Sequence, residues 1–386
     1  METLDLQDLI LEKLNTLIVV LNNTGDIEFV STSAQSILGY NPSELLGNNW
    51  WEATRFSKPE GAEVKSKLMA LFKNRSNSIH QFEHLLKTSY GNQKWFSWNV
   101  SYLSDTQLIG IGMDITDKKH KEKELLEKNN RLHEQHKEIT SSIRYAKRIQ
   151  GNILQSTDYI SKLFAEHFVF YKPKDIVSGD FYFFHEDEVN KYVIAVDCTG
   201  HGVPGAMMSM LANSIIKEVL LNKKIRSASQ ILYELDKELY KSINSYSDEI
   251  SNDGMDAAVV CLNKKTGRMH FAGALRSLII IRNQNVIELK ANRYPLGFYS
   301  DIDKLFEEQV IILQPADEFY LFSDGYADQF GGEENRKFNK RNFKELLKTI
   351  TEMPIDEQEG FLEYALNNWK QDNEQTDDVM VIGIRI

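Results

Sequence analysis

Val196-Asp197-Cys198-Thr199-Gly200-His201-Gly202-Val203-Pro204-Gly205 ends an apolar run that begins at Tyr192, so a strand stops at a carboxylate and a helix starts soon after. Three glycines in the eight residues after Asp197 let backbone approach a ligand closely and let a carbonyl turn toward a cation. An ordinary strand–helix connection is the competing reading, because such turns are commonly glycine-rich. Pro204 suits a first helical position, and Met207, Leu211, Ile215 and Val219 recur at helical spacing.

Three other aspartates stand at comparable places. Asp180 follows Gly179 and precedes the aromatic run Phe181-Tyr182. Asp324 ends Phe319–Ser323 and is followed by Gly325, and Asp377-Asp378 opens a final apolar strand. A carboxylate near a core must be paired, protonated or bound to a cation. No lysine or arginine adjoins any of the four in sequence, so the expected counter-charge is a divalent metal, and oxygen ligands favour magnesium or manganese over zinc. For Asp377-Asp378 alone, edge-strand protection by charge is the other account. Two carboxylates about 4 Å apart repel by roughly 4 kcal/mol at an effective dielectric near 20. Four of them gathered around two divalent ions about 3.5–4 Å apart would suit phosphate-ester hydrolysis by a metal-activated water. Asp175, preceded by Lys174, reads as a solvated loop charge.

With 386 residues the chain is long enough for two or three domains, and a net charge of -11 argues against a nucleic-acid partner. Two cysteines, Cys198 and Cys261, exclude a disulfide framework and a thiolate metal site. The N-terminus lacks the order of a signal peptide, and no apolar run reaches the eighteen residues of a membrane span. The expectation is a cytoplasmic protein.

Residues 1–117 alternate strand-like runs (Leu17–Leu21, Ile27–Val30, Lys94–Leu103, Leu108–Met113) with turn signals and short helices at Ser33–Leu38 and Pro42–Leu46. Residues 118–155 form a helical linker. Its stretch 118–150 holds ten Lys/Arg against five Asp/Glu, a solvated helix face rather than a nucleic-acid patch. Leu125, Leu132, Ile139, Ala146 and Ile153 fall seven apart, the spacing of a coiled-coil seam, with Asn129, His136, Ile143 and Gln150 as the partly polar companion seam. A single solvated helix is the alternative. Residues 156–386 carry nine further strand-like runs and four amphipathic helices (Pro204–Asn222, Ser227–Tyr246, Asn339–Thr351, Asp356–Trp369), which predicts an α+β sandwich of two antiparallel sheets flanked by helices.

The C-terminal segment resembles the metal-dependent protein phosphatase (PPM) family in its stage II sporulation protein E branch. The carriers, in family order, are Val177–Tyr182, Val196–Gly205, Phe271-Ala272-Gly273, Tyr294–Gly297, Phe322–Gly325 and Asp377–Met380. The resemblance implies a serine/threonine phosphatase using two Mn²⁺ or Mg²⁺ ions. Asp197 would bridge both ions, Asp180 would hold one, Asp324 and Asp377 the other, and the main-chain carbonyl of Cys198 would complete a shell. Asp378 is expected behind these ligands. His201, at a loop position, is a candidate acid or a loop-setting residue, Gly202 a loop residue, and Asp253 a candidate for an accessory metal. Where the family commonly continues with His-Asn-Pro or Asn-Asn-Pro, this chain has Ala274-Leu275-Arg276, and Arg276 is a candidate phosphate contact.

The N-terminal part resembles a PAS domain through Asn23–Ile27, Ser33–Gly47 and Gly112–Asp117. Its ligand is unknown: residues 1–197 have no cysteine for a flavin bond, and His80 and His84, the haem candidates, lie on strand-like segments that suit surface residues. The expected arrangement is a sensor-regulated phosphatase, homodimeric through the PAS domain and linker. Its substrate is a phosphoprotein such as an anti-sigma-factor antagonist in a bacterial partner-switching pathway. A catalytically silent scaffold and a phosphohydrolase acting on a small phosphoester are the alternatives.

Overall fold

A computed structural model describes residues 16–74, 79–245, 253–298 and 304–386 of the chain. The fold divides into two compact units that meet between His136 and Lys137. The boundary expected at 117 falls at the start of a helix, Thr116–Ile153, whose residues are shared by both units.

The first unit is an antiparallel sheet of β1 (Thr16–Asn22), β2 (Ile27–Val30), β3 (His80–Lys87), β4 (Gln93–Ser104) and β5 (Gln107–Asp114), ordered β2-β1-β5-β4-β3. Asn22 sets the β1–β2 turn, its Oδ1 accepting the N–H groups of Thr24 and Asp26 at 3.0 Å each. In β4, Phe96, Trp98 and Val100 are buried at every second position, as a half-buried strand requires. They meet Leu17, Val19, Trp50 and Trp51 in one core. The strands and first helices expected from sequence are present. The helix Lys58–Asn74 was not among the expected elements. Pro59 is tolerated in a first turn, and a Cβ at Gly61 would come within 2.3 Å of the Trp51 carbonyl.

In Thr116–Ile153, Leu125, Leu132 and Ile139 are exposed, as a seam awaiting a partner would be. Gln150 departs from that expectation: it is buried within the second unit rather than on the companion seam.

The second unit holds two five-stranded antiparallel sheets. One is built from β7 (Phe181–Glu186), β8 (Asn190–Cys198), β9 (Met255–Asn263), β10 (Arg268–Ala274) and β13 (Gln309–Ile312). The other has β6 (His167–Lys172), β11 (Leu278–Arg282), β12 (Asn285–Leu289), β14 (Glu318–Phe322) and β17 (Val379–Arg385), with β15 (Phe330–Gly331) and β16 (Arg336–Lys337) forming a small hairpin nearby in sequence. Val193, Ala195 and Val260 of the first sheet pack on Leu321, Met380 and Ile382 of the second. Helices Gly202–Lys217 and Ala228–Asn244 cover the outer face of the first sheet, and Asn339–Ile350 and Ile355–Lys370 that of the second. Because their central strands are buried on both faces, they read as continuous apolar runs.

Candidate active site

Antiparallel register gathers the acids. Phe181 pairs with Val196, which brings Asp180, just before β7, level with Asp197 near the end of β8. Asp197 pairs directly with Asp256 on β9. In the other sheet Phe322 pairs with Val381, so Asp324 after β14 and Asp377 before β17 share one end. Two loops touch there. A Cβ on Gly179 would lie 2.5 Å from the Gly200 carbonyl and 3.2 Å from that of Cys198, so only glycine permits the contact that sets the Cys198 carbonyl beside the Asp180 loop.

Asp378 organises the Asp180 loop from behind. It is buried, and its two oxygens accept the N–H groups of Lys174 and Gly179, both at 2.7 Å. Its own N–H donates to Asp377 Oδ1 at 2.8 Å. His201 is held at the rim: Nδ1 lies 2.6 Å from Asp175 Oδ2 and Nε2 lies 3.0 Å from Lys174 Nζ. An ammonium has no lone pair, so Nε2 accepts and Nδ1–H donates, which occupies both nitrogens. Asp175, exposed in a loop as expected of a solvated charge, is in addition the partner of His201. Gly202 opens the helix with φ +65, and a Cβ there would meet Asp175 Oδ2 at 2.9 Å. Asp253 is exposed and stands one residue before Gly254, whose carbonyl accepts the Thr199 N–H at 3.0 Å.

The largest departure from the sequence reading is Arg276. Leu275 adopts φ 60, a left-handed conformation uncommon for a non-glycine residue. Arg276, next to it, places Nη2 2.7 Å from Asp197, 2.8 Å from Asp324 and 2.9 Å from Asp256. The acids that no neighbouring base could neutralise are thus paired by an arginine 79 residues beyond Asp197 in the numbering. Asp256 is a site residue that sequence reasoning missed. Its signal was the same as that of the other four: an acid at the tip of an apolar strand beside a glycine turn.

Burial pushes the Asp197 carboxyl up to about 7; Arg276 opposes that shift, while Asp324, Asp256 and Asp377 add to it. Asp180 is also raised, first by burial and then by Asp197. Asp256 and Asp377 move in the same direction, again with burial foremost. Asp197 is therefore the electrostatic centre of the group.

As the side chains stand, no three acid, histidine or cysteine side chains among the described residues converge to grip an ion, because the guanidinium takes the middle. The donors nevertheless fit a hard divalent cation. They are all oxygens, and Asp180 Oδ2 is buried without a hydrogen-bond partner among the described residues. Beside the acids runs a cleft lined by Arg276, Asp324, Lys340 and Lys344 among others.

The sequence profile of stage II sporulation protein E (SpoIIE) matches residues 188–386, and that of a PAS domain matches residues 15–117. No curated protein matches the chain. Among solved structures, the SiaA-PP2C domain of Pseudomonas aeruginosa is 34% identical over 65% of this chain and 98% of that one, with a TM-score of 0.59. The PP2C phosphatase domain with a regulatory fragment of SpoIIE from Bacillus subtilis is 20% identical over 57% and 63%, with a TM-score of 0.46. The RsbU and RsbW domains of a Mycobacterium tuberculosis protein are 17% identical over 57% and 59%, also at 0.46.

Proposed function

Since the chain belongs to the stage II sporulation protein E family of metal-dependent serine/threonine phosphatases and carries a PAS domain ahead of that fold, we propose that its PAS unit regulates hydrolysis of a phosphorylated protein. Asp180, Asp197, Asp324, Asp377 and the Cys198 carbonyl are the proposed holders of two Mn²⁺ or Mg²⁺ ions. Such ions supply an activated water and neutralise charge on the phosphoryl oxygens. The observation that supports this reading is the all-oxygen cluster centred on Asp197, with the unpartnered Oδ2 of Asp180 at its edge.

The chain's own residues have separable tasks. Asp378 holds the Asp180 loop in place through two backbone amides. Arg276 balances three acids until they are otherwise neutralised, and then can pair with phosphate in the adjoining cleft. Lys340 and Lys344 supply positive charge along that cleft, although Lys344 is shared with Glu288 at 2.9 Å. His201, tied at both nitrogens, orders the glycine loop instead of donating a proton to the leaving group.

The exposed seam of Leu125, Leu132 and Ile139 supports a homodimer through the linker. The proposed substrate is a phosphoserine or phosphothreonine protein such as an anti-sigma-factor antagonist. Turnover of a phosphoserine protein, a nucleotide and p-nitrophenyl phosphate with Mn²⁺ tests the reading against Asp197→Ala. Preference for the phosphoprotein, lost in the variant, is expected. Preference for the nucleotide would move the substrate to small phosphoesters, and no turnover of any of the three would leave a scaffold.

A further inference from the structure

The PAS unit contains a buried cation that lacks hydrogen-bond acceptors on two of its nitrogens among the described residues. Arg55 is 4% exposed, and its Nε and Nη1 have no hydrogen-bond partner among the described residues. The backbone that carries it is pinned: the Thr54 hydroxyl donates to the Trp50 carbonyl at 2.7 Å, and the Thr54 carbonyl accepts the Lys87 N–H of β3 at 2.9 Å. Glu60 is the acid whose field acts on Arg55, but its oxygens are engaged elsewhere. Oε1 lies 3.1 Å from His84 Nε2, and Oε2 accepts the Phe56 N–H at 3.2 Å. Burial pushes Arg55 down only to about 10, so it stays charged at neutral pH. A desolvated charge without a hydrogen-bonded counter-ion is costly, and native structures seldom leave one so.

Arg55 lines a cavity, and so does Trp98, whose indole Nε1 is likewise buried without a partner among the described residues. The rest of the wall is apolar, with Val19, Leu21, Trp51 and Leu68 on it. By water-centre volume the cavity measures about 30 Å³, room for roughly two or three waters. Two kinds of unmet donor in an apolar wall call for an occupant with adjacent acceptor oxygens, a full negative charge and a short hydrocarbon end. A guanidinium fork matches a carboxylate in both respects. A halide answers the charge but leaves the apolar wall unmatched. An alcohol or amide fits the wall but leaves the cation unneutralised.

We propose that this cavity binds a small aliphatic monocarboxylate of about the size of acetate, its carboxylate on Arg55 and Trp98 and its alkyl end against Val19, Leu21 and Leu68. The site does not depend on the phosphatase reading, and activity is not its readout.

Trp50, Trp51 and Trp98, three of the five tryptophans, line the cavity, so intrinsic fluorescence reports on it. The full chain is titrated at neutral pH and constant ionic strength with acetate, propionate and butyrate, and in parallel with propionamide and chloride; thermal unfolding is followed in the same samples. Saturable fluorescence change and a higher Tm with a carboxylate, and neither with amide or chloride, is the expected result. Arg55→Met weakens carboxylate binding at least about tenfold, and Trp98→Phe about fivefold. Without ligand, Arg55→Met has a Tm equal to or above that of the parent, because it removes an unneutralised buried charge. An equal response to propionamide marks a merely apolar cavity, and an equal response to chloride marks a general anion hole; either overturns the proposal. So does undiminished binding by Arg55→Met, or a lower Tm of that variant without ligand.

Discussion

Gln150 and Ser178 hold each other by two hydrogen bonds: Gln150 Nε2 donates to the Ser178 carbonyl at 2.6 Å, and the Ser178 N–H donates to Gln150 Oε1 at 3.2 Å. The same side-chain nitrogen donates to Ser209 Oγ at 2.9 Å. The last turn of the helix Thr116–Ile153 therefore grips the loop that carries Asp180 and the helix that starts at the glycine turn. A rotation at that helix end would be felt two residues from a proposed metal ligand.

Gln150→Leu leaves the Ser178 N–H buried without its partner and the Ser178 carbonyl with only the 3.4 Å bond from Ser209 Oγ, at a cost of about 1–3 kcal/mol. Denaturant unfolding of the metal-free protein reads that loss. Because Asp180 also loses its tether, the Mn²⁺ concentration for half-maximal activity rises several-fold. A destabilised variant with an unchanged Mn²⁺ requirement would show that Gln150 only supports the fold.

Asp197→Asn and Asp324→Asn each lower Mn²⁺-dependent kcat on a phosphoserine substrate by about a hundredfold or more, as expected where a ligand of an activating metal is removed. Asp175→Asn, at the rim beside His201, stays within about threefold. Similar losses at Asp175 and Asp197 would remove the ranking of the acids.

Arg276→Met strips the counter-charge from three acids. In EDTA the variant is less stable by about 3 kcal/mol, since breaking a buried pair exposes its partners' repulsion. Saturating Mn²⁺ restores most of that, and calorimetry finds tighter Mn²⁺ binding because nothing has to be displaced. Weaker Mn²⁺ binding would mean that Arg276 helps build the metal site instead of competing for it.

The raised carboxyls give the metal-free protein an inverted pH dependence. Unfolded aspartates lose their protons near 3.9, whereas burial holds the Asp197 proton up to about 7, with Asp180, Asp256 and Asp377 shifted the same way. Between about pH 4 and 7 the folded state binds more protons than the unfolded, so these groups lower stability as pH rises through that window. Mn²⁺ displaces those protons. Calorimetry at pH 6 in two buffers of different ionisation enthalpy therefore registers proton release on metal binding. Buffer-independent heats would contradict the shifts.

Lys340→Ala, in the cleft that Asp324 and Arg276 also line, raises KM for a phosphoprotein several-fold with little change in kcat. A fall in kcat at constant KM would assign Lys340 to the transition state instead.

Much of this molecule is legible along the chain. Alternation in β4, the Asn22 turn and the glycine-rich stretch after Asp197 are local, since strand period and turn chemistry involve residues a few positions apart. The four strand-tip aspartates were visible for the same reason, and so was their need for a counter-charge. The helix Lys58–Asn74 was not read from the sequence, and the need for glycine at 61 comes from the Trp51 carbonyl, a contact across the fold.

The sequence by itself determined that four acids stand at strand tips and need a counter-charge if the fold gathers them, behind a PAS unit and a long charged helix. Only the tertiary structure decided what meets those acids. Arg276 pairs with Asp197, Asp256 and Asp324, Gln150 leaves the helix seam for Ser178, and Arg55 sinks into the PAS core. Each outcome depends on sheet register and packing between distant segments, and desolvation with charge pairing is a property of that enclosure, which no run of neighbouring residues encodes.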